Sequence, residues 1–204
     1  MSTAHALLSR APARTAPTLP LVPDGPTLAR GRVHEACGGA RRSLALWLAA
    51  QLQGPVMWIA PGWERAALNP CGLMPFLDPA RLILVSPKRP EDLLWSMEEV
   101  LRAGTVPLAV ADLPGLPSLT QVRRMHLAAQ TGAAQAPAPP LGLLLTPGQT
   151  GGAPGVESRW RLEQAHAGGT SSWTLDRLRA RTAPVKRWTL ARVPGTALPA
   201  PTQA

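Results

Sequence analysis

The sequence predicts an α/β fold: a mostly parallel central sheet with helices on both faces, continued by antiparallel or edge strands toward the C-terminus. Three observations carry this expectation. Short apolar runs alternate with helical stretches between Arg32 and Thr146. Those runs are apolar on both faces, as strands enclosed by two helical layers must be. Beyond Thr146 the intervening helices stop and short alternating segments follow one another.

In chain order, residues 1–28 carry Pro12, Pro17, Pro20, Pro23 and Pro26 without a sustained period, which predicts an extended or disordered N-terminal arm. Arg32–Cys37 is a short candidate strand. Arg41–Gln53 places Leu44, Trp47, Leu48 and Leu52 at helical spacing and stops at Gly54-Pro55. Val56–Ala60 is an apolar strand ending at Pro61-Gly62, and Arg81–Ser86 is another. Pro90–Ala103 is the best helix of the chain. Proline opens it, Glu91 and Asp92 sit in the first turn where the helix dipole favours acids, and Gly104 closes it. Its apolar face is Leu93, Leu94, Met97 and Leu101. Val106–Ala111 is a third buried-type strand, followed by Asp112. Leu119–Gln130 is a helix with Arg123 and Arg124 turned away from Val122, Met125 and Ala129. Leu141–Thr146 is a fourth apolar strand, and Pro147–Gly155 a loop. Glu157–Glu163, Ser172–Arg181 and Arg187–Val193 read as closing strands, with 194–204 as a disordered tail. One α/β domain over 29–193 results.

Composition narrows the classes. The chain has 204 residues, 45% of them hydrophobic, which fits one folded domain and excludes full disorder. The two cysteines, Cys37 and Cys71, form no metal spacing and no disulfide framework, so a reduced, cytoplasmic setting is expected. No run of eighteen apolar residues predicts a membrane span. His5, His34, His126 and His166 are scattered without ligand spacing, so no metal is expected. The net charge of +9 is uneven. From residue 157 onward, Arg159, Arg161, Arg177, Arg179, Arg181, Lys186, Arg187 and Arg192 face only Glu157, Glu163 and Asp176. Such a surplus attracts phosphate backbones or an acidic partner, and equally makes a solvated surface.

Two places carry candidate chemistry. The first strand–helix turn of an α/β sheet usually cradles phosphate. Here it contains Gly38, Gly39, Arg41 and Arg42, but lacks the Gly-Lys-Ser/Thr end that a nucleotide-hydrolysing loop uses for phosphate and Mg²⁺. Asp112 ends an apolar strand, as a Walker-B carboxylate does, and as a capping Asp also does. Glu64, beyond the Val56–Ala60 strand, stands where such folds often place a water-activating carboxylate, but reads rather as a surface loop acid. No covalent catalysis is assigned to Cys37 or Ser43. The second place is the basic C-terminal stretch, where Trp160, Trp173 and Trp188 lie among arginines. Arginine with tryptophan binds single-stranded nucleic acid, makes cation–π pairs, or anchors a protein interface. Strand alternation puts Trp160 opposite Arg159 and Arg161, with the tryptophan in the core. Trp47, Trp58 and Trp95 read as core residues.

The order of elements resembles a known family. Gly31-Arg32-Val33-His34-Glu35 with its shortened glycine turn, Asp112 after Val-Pro-Leu-Ala-Val-Ala, and the Ala183-Pro184 turn before Val185–Leu190 resemble the RecA core. Leu46-Trp47-Leu48-Ala49, Leu77–Leu82 and Asp92–Glu99 make the chain similar to the ImuA branch of that superfamily, which lies beside SulA-like proteins. The resemblance spans roughly Leu28–Val193 and implies a RecA-like core without a complete Walker A motif. It implies a non-catalytic accessory role in the SOS-type DNA damage response and error-prone translesion synthesis, without a cofactor. Implied partners are an ImuB-like Y-family polymerase relative and a DnaE-type error-prone polymerase, with RecA and DNA as further candidates. By position, the two DNA-binding loops of RecA would fall at Asp112–Leu119 and Pro147–Gly155. The candidate contacts to DNA or partner are Arg159, Arg161, Arg177, Arg179, Arg181, Lys186 and Arg187. The alternatives are a divergent P-loop ATPase using Arg41 or Arg42 in place of lysine, and a SulA-like cell-division inhibitor.

Overall fold

The computed structural model describes residues 17–63, 68–192 and 194–202. Its centre is a nine-stranded sheet. The strands are β3 (Val33–Cys37), β4 (Val56–Ile59), β5 (Leu82–Val85), β6 (Leu108–Asp112), β7 (Leu141–Leu145), β8 (Ser158–Gln164), β9 (Ser172–Ala180), β10 (Lys186–Arg192) and β11 (Pro199–Pro201). Their order across the sheet is β11-β10-β9-β8-β3-β7-β6-β4-β5. From β5 to β8 all pairs are parallel, and β9, β10 and β11 continue the sheet antiparallel. Ahead of it, β1 (Thr18–Pro20) and β2 (Thr27–Ala29) form a separate antiparallel hairpin.

Helix α1 (Arg41–Ala50) covers one face. Its Leu44, Trp47 and Leu48 are buried with Trp160, Leu162, Leu175 and Leu190 of the C-terminal strands. Helices α3 (Pro90–Ala103) and α4 (Leu119–Gln135) cover the other face, over Ala109, Ala111 and Leu144. A short helix α2 (Pro70–Leu73) and one 3₁₀ turn (Pro79–Arg81) lie between β4 and β5. No helix among the described residues is long and apolar enough to cross a membrane.

The local signals act as chemistry requires. Gly104 closes α3 in the left-handed region, at φ 64°, with its N–H on the Val100 carbonyl. Ser118 and Gln121 form a reciprocal capping box at the start of α4. Helices α3 and α4 cross at glycines: a methyl on Gly132 would lie 2.1 Å from the Leu101 carbonyl oxygen.

Four expectations are corrected. Residues 17–28 are not a loose arm, because Leu19, Leu21, Val22 and Leu28 are buried against the α1 layer. Gln51 secures them by donating to the Pro20 and Leu21 carbonyls at 3.0 and 3.3 Å. Prolines break a strand period but are at home in turns and edge strands. Residues 1–16 lie outside the described residues. The end of the chain is likewise not all tail, since β11 pairs with β10. Helix α4 runs on to Gln135, because Gly132 is a close-packing site and not a stop. Trp95 is 58% exposed, because it stands off the Leu93–Met97–Leu101 stripe that α3 buries.

The two edges of the sheet differ. β11 is blunted by Pro199 and Pro201. Among the described residues β5 pairs only with β4, and its Ile83 and Leu84 are exposed.

Candidate functional site

The β3–α1 turn lies at the carboxyl ends of the parallel strands, where α/β sheets bind ligands. Gly38 takes φ 93°, and a methyl there would meet the Leu162 carbonyl oxygen and Glu163 Oε1, each at 2.5 Å. The amides that would wrap a phosphate already have partners. Gly38 N–H donates to the Gly148 carbonyl at 2.9 Å, and Ala40 N–H to the Leu162 carbonyl at 3.0 Å. Gly39 N–H donates to Glu163 Oε1 at 2.9 Å. A carboxylate from β8 therefore occupies the anion position at the α1 N-terminus, where the helix dipole favours negative charge.

The metal position is filled in the same way. Arg42 Nε donates to Asp112 Oδ2 at 2.5 Å, and Arg41 approaches Oδ1 at 3.8 Å. Asp112 is buried, so this pairing neutralises it. Two arginines opening a helix oppose its dipole, and the Asp112 carboxylate offsets that. Arg42 is held on Asp112, whereas Arg41 also donates from Nη1 to the Gly38 carbonyl of the turn at 3.5 Å. Among the described residues no cluster of three or more His, Cys, Asp or Glu could hold a metal. Glu163 and Arg42 would have to give way before a nucleoside triphosphate with Mg²⁺ could be seated in this turn. Glu64 lies outside the described residues.

The C-terminal arginines are mostly engaged. Arg159 Nε donates to Glu35 Oε2 at 2.5 Å, and its Nη2 to the Ala153 carbonyl at 3.0 Å. Glu35 is fully buried and also accepts from Thr146 Oγ1 at 2.7 Å, Gly152 N–H at 2.7 Å and Ala153 N–H at 3.0 Å. This buried carboxylate pins the 147–155 loop to the sheet. Arg161 and Arg187 share Asp176, each at 2.6 Å. Burial works against the Asp176 charge, but hydrogen bonds from Arg187 and Arg161 outweigh it and hold the carboxyl below its ordinary range. Arg177 lies over Trp160 and Trp188 at 5.7 and 5.2 Å, and Lys186 over Trp188 at 5.3 Å. Arg181 approaches Glu157 at 3.6 Å. Arg179 is exposed and makes no ion pair among the described residues.

Strand alternation holds here: Trp160 is buried, and Arg159 and Arg161 project from the opposite face. Two further polar groups were not legible as structural elements. His34 is buried, with Nδ1 2.6 Å from Ser158 Oγ and Nε2 2.9 Å from the Ala29 carbonyl. Burial pulls its pKa down to about 4, so the ring is neutral. For Cys37, burial and then the Glu35 carboxylate push the thiol up to about 11, which leaves it inert. Sequence reasoning also missed Glu163 as the acid of the turn; the signal was a strand acid whose register partner is unknowable without the fold.

No protein-family model and no curated protein matches this chain.

Proposed function

We propose that this chain is a non-catalytic accessory protein of the SOS-type DNA damage response. In this reading the α/β sheet is a RecA-like core of the ImuA kind. It binds an ImuB-like Y-family polymerase relative and a DnaE-type error-prone polymerase during translesion synthesis, and it contacts DNA. The observation that carries the non-catalytic part is the self-filled turn. Glu163 takes the Gly39 amide, backbone carbonyls take those of Gly38 and Ala40, and Arg42 takes Asp112, so the positions that hydrolyse nucleotide in such folds are occupied by the chain itself. The same observation disfavours a divergent ATPase, since Arg41 and Arg42 both lean on Asp112.

The test is co-expression with an ImuB-like protein and affinity capture on either partner. A stable complex, with no ATP binding at millimolar MgATP, is expected. MgATP turnover, or the absence of any complex with polymerase partners, overturns the reading. DNA affinity should fall steeply as salt rises.

A further inference from the structure

A cavity of about 430 Å³ opens beside the amino-terminal ends of β3 and β8, against the flank of α4. It is separate from the β3–α1 turn, which lies at the carboxyl ends of the strands. Three guanidiniums from three distant stretches of chain line it: Arg32 ahead of β3, Arg123 on α4 and Arg181 after β9. A single carboxylate, Glu157, faces them. It stands 3.7 Å from Arg32 Nε and 3.6 Å from Arg181 Nε, looser than the 2.5–2.6 Å pairs that engage Arg42, Arg159, Arg161 and Arg187. Arg123 is exposed and makes no ion pair among the described residues. His126 keeps its Nε2 on the Gly155 carbonyl at 3.1 Å and forms part of the wall. Leu119 and Leu127, both exposed, supply an apolar side.

The backbone holds this arrangement in place. Glu157 N–H donates to the Val33 carbonyl at 2.9 Å, and Arg181 N–H to the Glu157 carbonyl at 3.1 Å. Gly155, at φ 76°, lets the loop close on Leu119, whose Cδ1 would lie 2.8 Å from any added methyl. The volume falls in the range of small-ligand sites. Three guanidiniums against one carboxylate leave an excess that matches the charge of a phosphate group, and guanidinium forks match its oxygens.

We propose that this cavity binds the phosphate of a nucleotide unit, with Arg32, Arg123 and Arg181 on the oxygens and Leu119 and Leu127 against the remainder. A free mononucleotide and a unit of single-stranded DNA present the same chemistry. Taking DNA as the source rests on the function proposed above; the pocket itself does not.

The test is fluorescence anisotropy with a labelled oligothymidylate about 12 nucleotides long, and calorimetry with dAMP. Both use the full chain, the Arg123→Ala variant and an Arg192→Ala control at another exposed arginine. Thermal melts confirm that the variants fold. Arg123→Ala should weaken binding about tenfold and lower the salt slope by about one, while Arg192→Ala changes affinity less than about twofold. Arg123-dependent binding of both ligands assigns the pocket to a strand, and of dAMP alone to a free nucleotide; either supports the phosphate site. No binding of either ligand, or equal losses in the two variants, overturns it. Polymerase capture is scored separately on the same variants. A failed pocket then leaves capture intact, and failed capture leaves Arg123-dependent binding intact.

Discussion

If Glu163 stands in for a phosphate in the β3–α1 turn, its removal should open an anion site. Glu163→Ala deletes the acceptor at 2.9 Å from Gly39 N–H and the negative charge at the α1 N-terminus. The hydrogen bond lies at the surface, where water can replace it, so about 1 kcal/mol is lost there. Loss of the dipole interaction adds roughly 0.3–1 kcal/mol. The sum of about 1–2 kcal/mol corresponds to a fall in Tm of roughly 3–6 °C for a domain of this size. The variant should then regain stability in phosphate relative to chloride at matched ionic strength. Wild type also gains if the Arg123 cavity binds phosphate, so the quantity that matters is the variant's excess gain. Thermal denaturation across a phosphate series reads it directly. A variant as stable as wild type, or one with no excess gain, refutes the idea that the turn is an anion site filled from within.

Four further outcomes are expected. Glu35→Gln, measured by chemical denaturation, should cost about 3–5 kcal/mol, because it leaves the Arg159 guanidinium without its buried counter-charge. Gly132→Ala should destabilise by at least 1 kcal/mol. Helix propensity alone favours alanine by about 1 kcal/mol, but the methyl would meet the Leu101 backbone at 2.1 Å, and packing wins. Acidification should weaken the fold between about pH 6.5 and 4, since the folded His34 pKa lies near 4 and the unfolded chain binds the extra proton in that window. The effect is on the order of 3 kcal/mol, is fully present as stability above that window, and should flatten in His34→Gln when unfolding is followed against pH. Leu84→Lys on the β5 edge should leave Tm unchanged and raise the concentration at which the protein associates with itself, read by light scattering.

The elements of the sheet were legible because their signals are local. Pro90 and Gly104 bound α3 as the sequence implies, and the apolar strands fall within one or two residues of their expected ends. The misses have one physical origin, which is that burial is decided by partners far along the chain. Leu19, Leu21 and Leu28 looked like part of a proline-rich arm because nothing near them shows that α1 needs a cover. Gly132 fell beyond the expected end of α4 at Gln130, because its reason for lying in the helix is the α3 backbone. At the candidate site, Gly38, Gly39, Arg41, Arg42 and Asp112 do come together as their spacing suggests. What the sequence could not reveal is that Glu163, more than a hundred residues away, completes the group.

Partners far along the chain also change the meaning of the basic C-terminal stretch. A charge surplus counted over a segment assumes that the segment's neighbours are its sequence neighbours. In the fold, Arg159 spends its charge on Glu35 of β3, while Arg161 and Arg187 converge on Asp176. Arg161 and Arg187 tie the antiparallel strands β8, β9 and β10 together, Arg159 ties β8 to its parallel neighbour β3, and ion pairs of that kind have little field left for a strand of DNA. Part of the surplus stays on these strands, where Arg177 and Lys186 lie over Trp188, and part collects where Arg181 meets Arg32 and Arg123, two residues from outside the basic stretch. Reversing the charge at Arg159 should therefore unfold the protein before it affects nucleic-acid binding. Reversing it at Arg123 should do the opposite. Measured side by side by thermal melt and anisotropy, the two variants separate a structural arginine cluster from a binding one, and identical behaviour would refute that division.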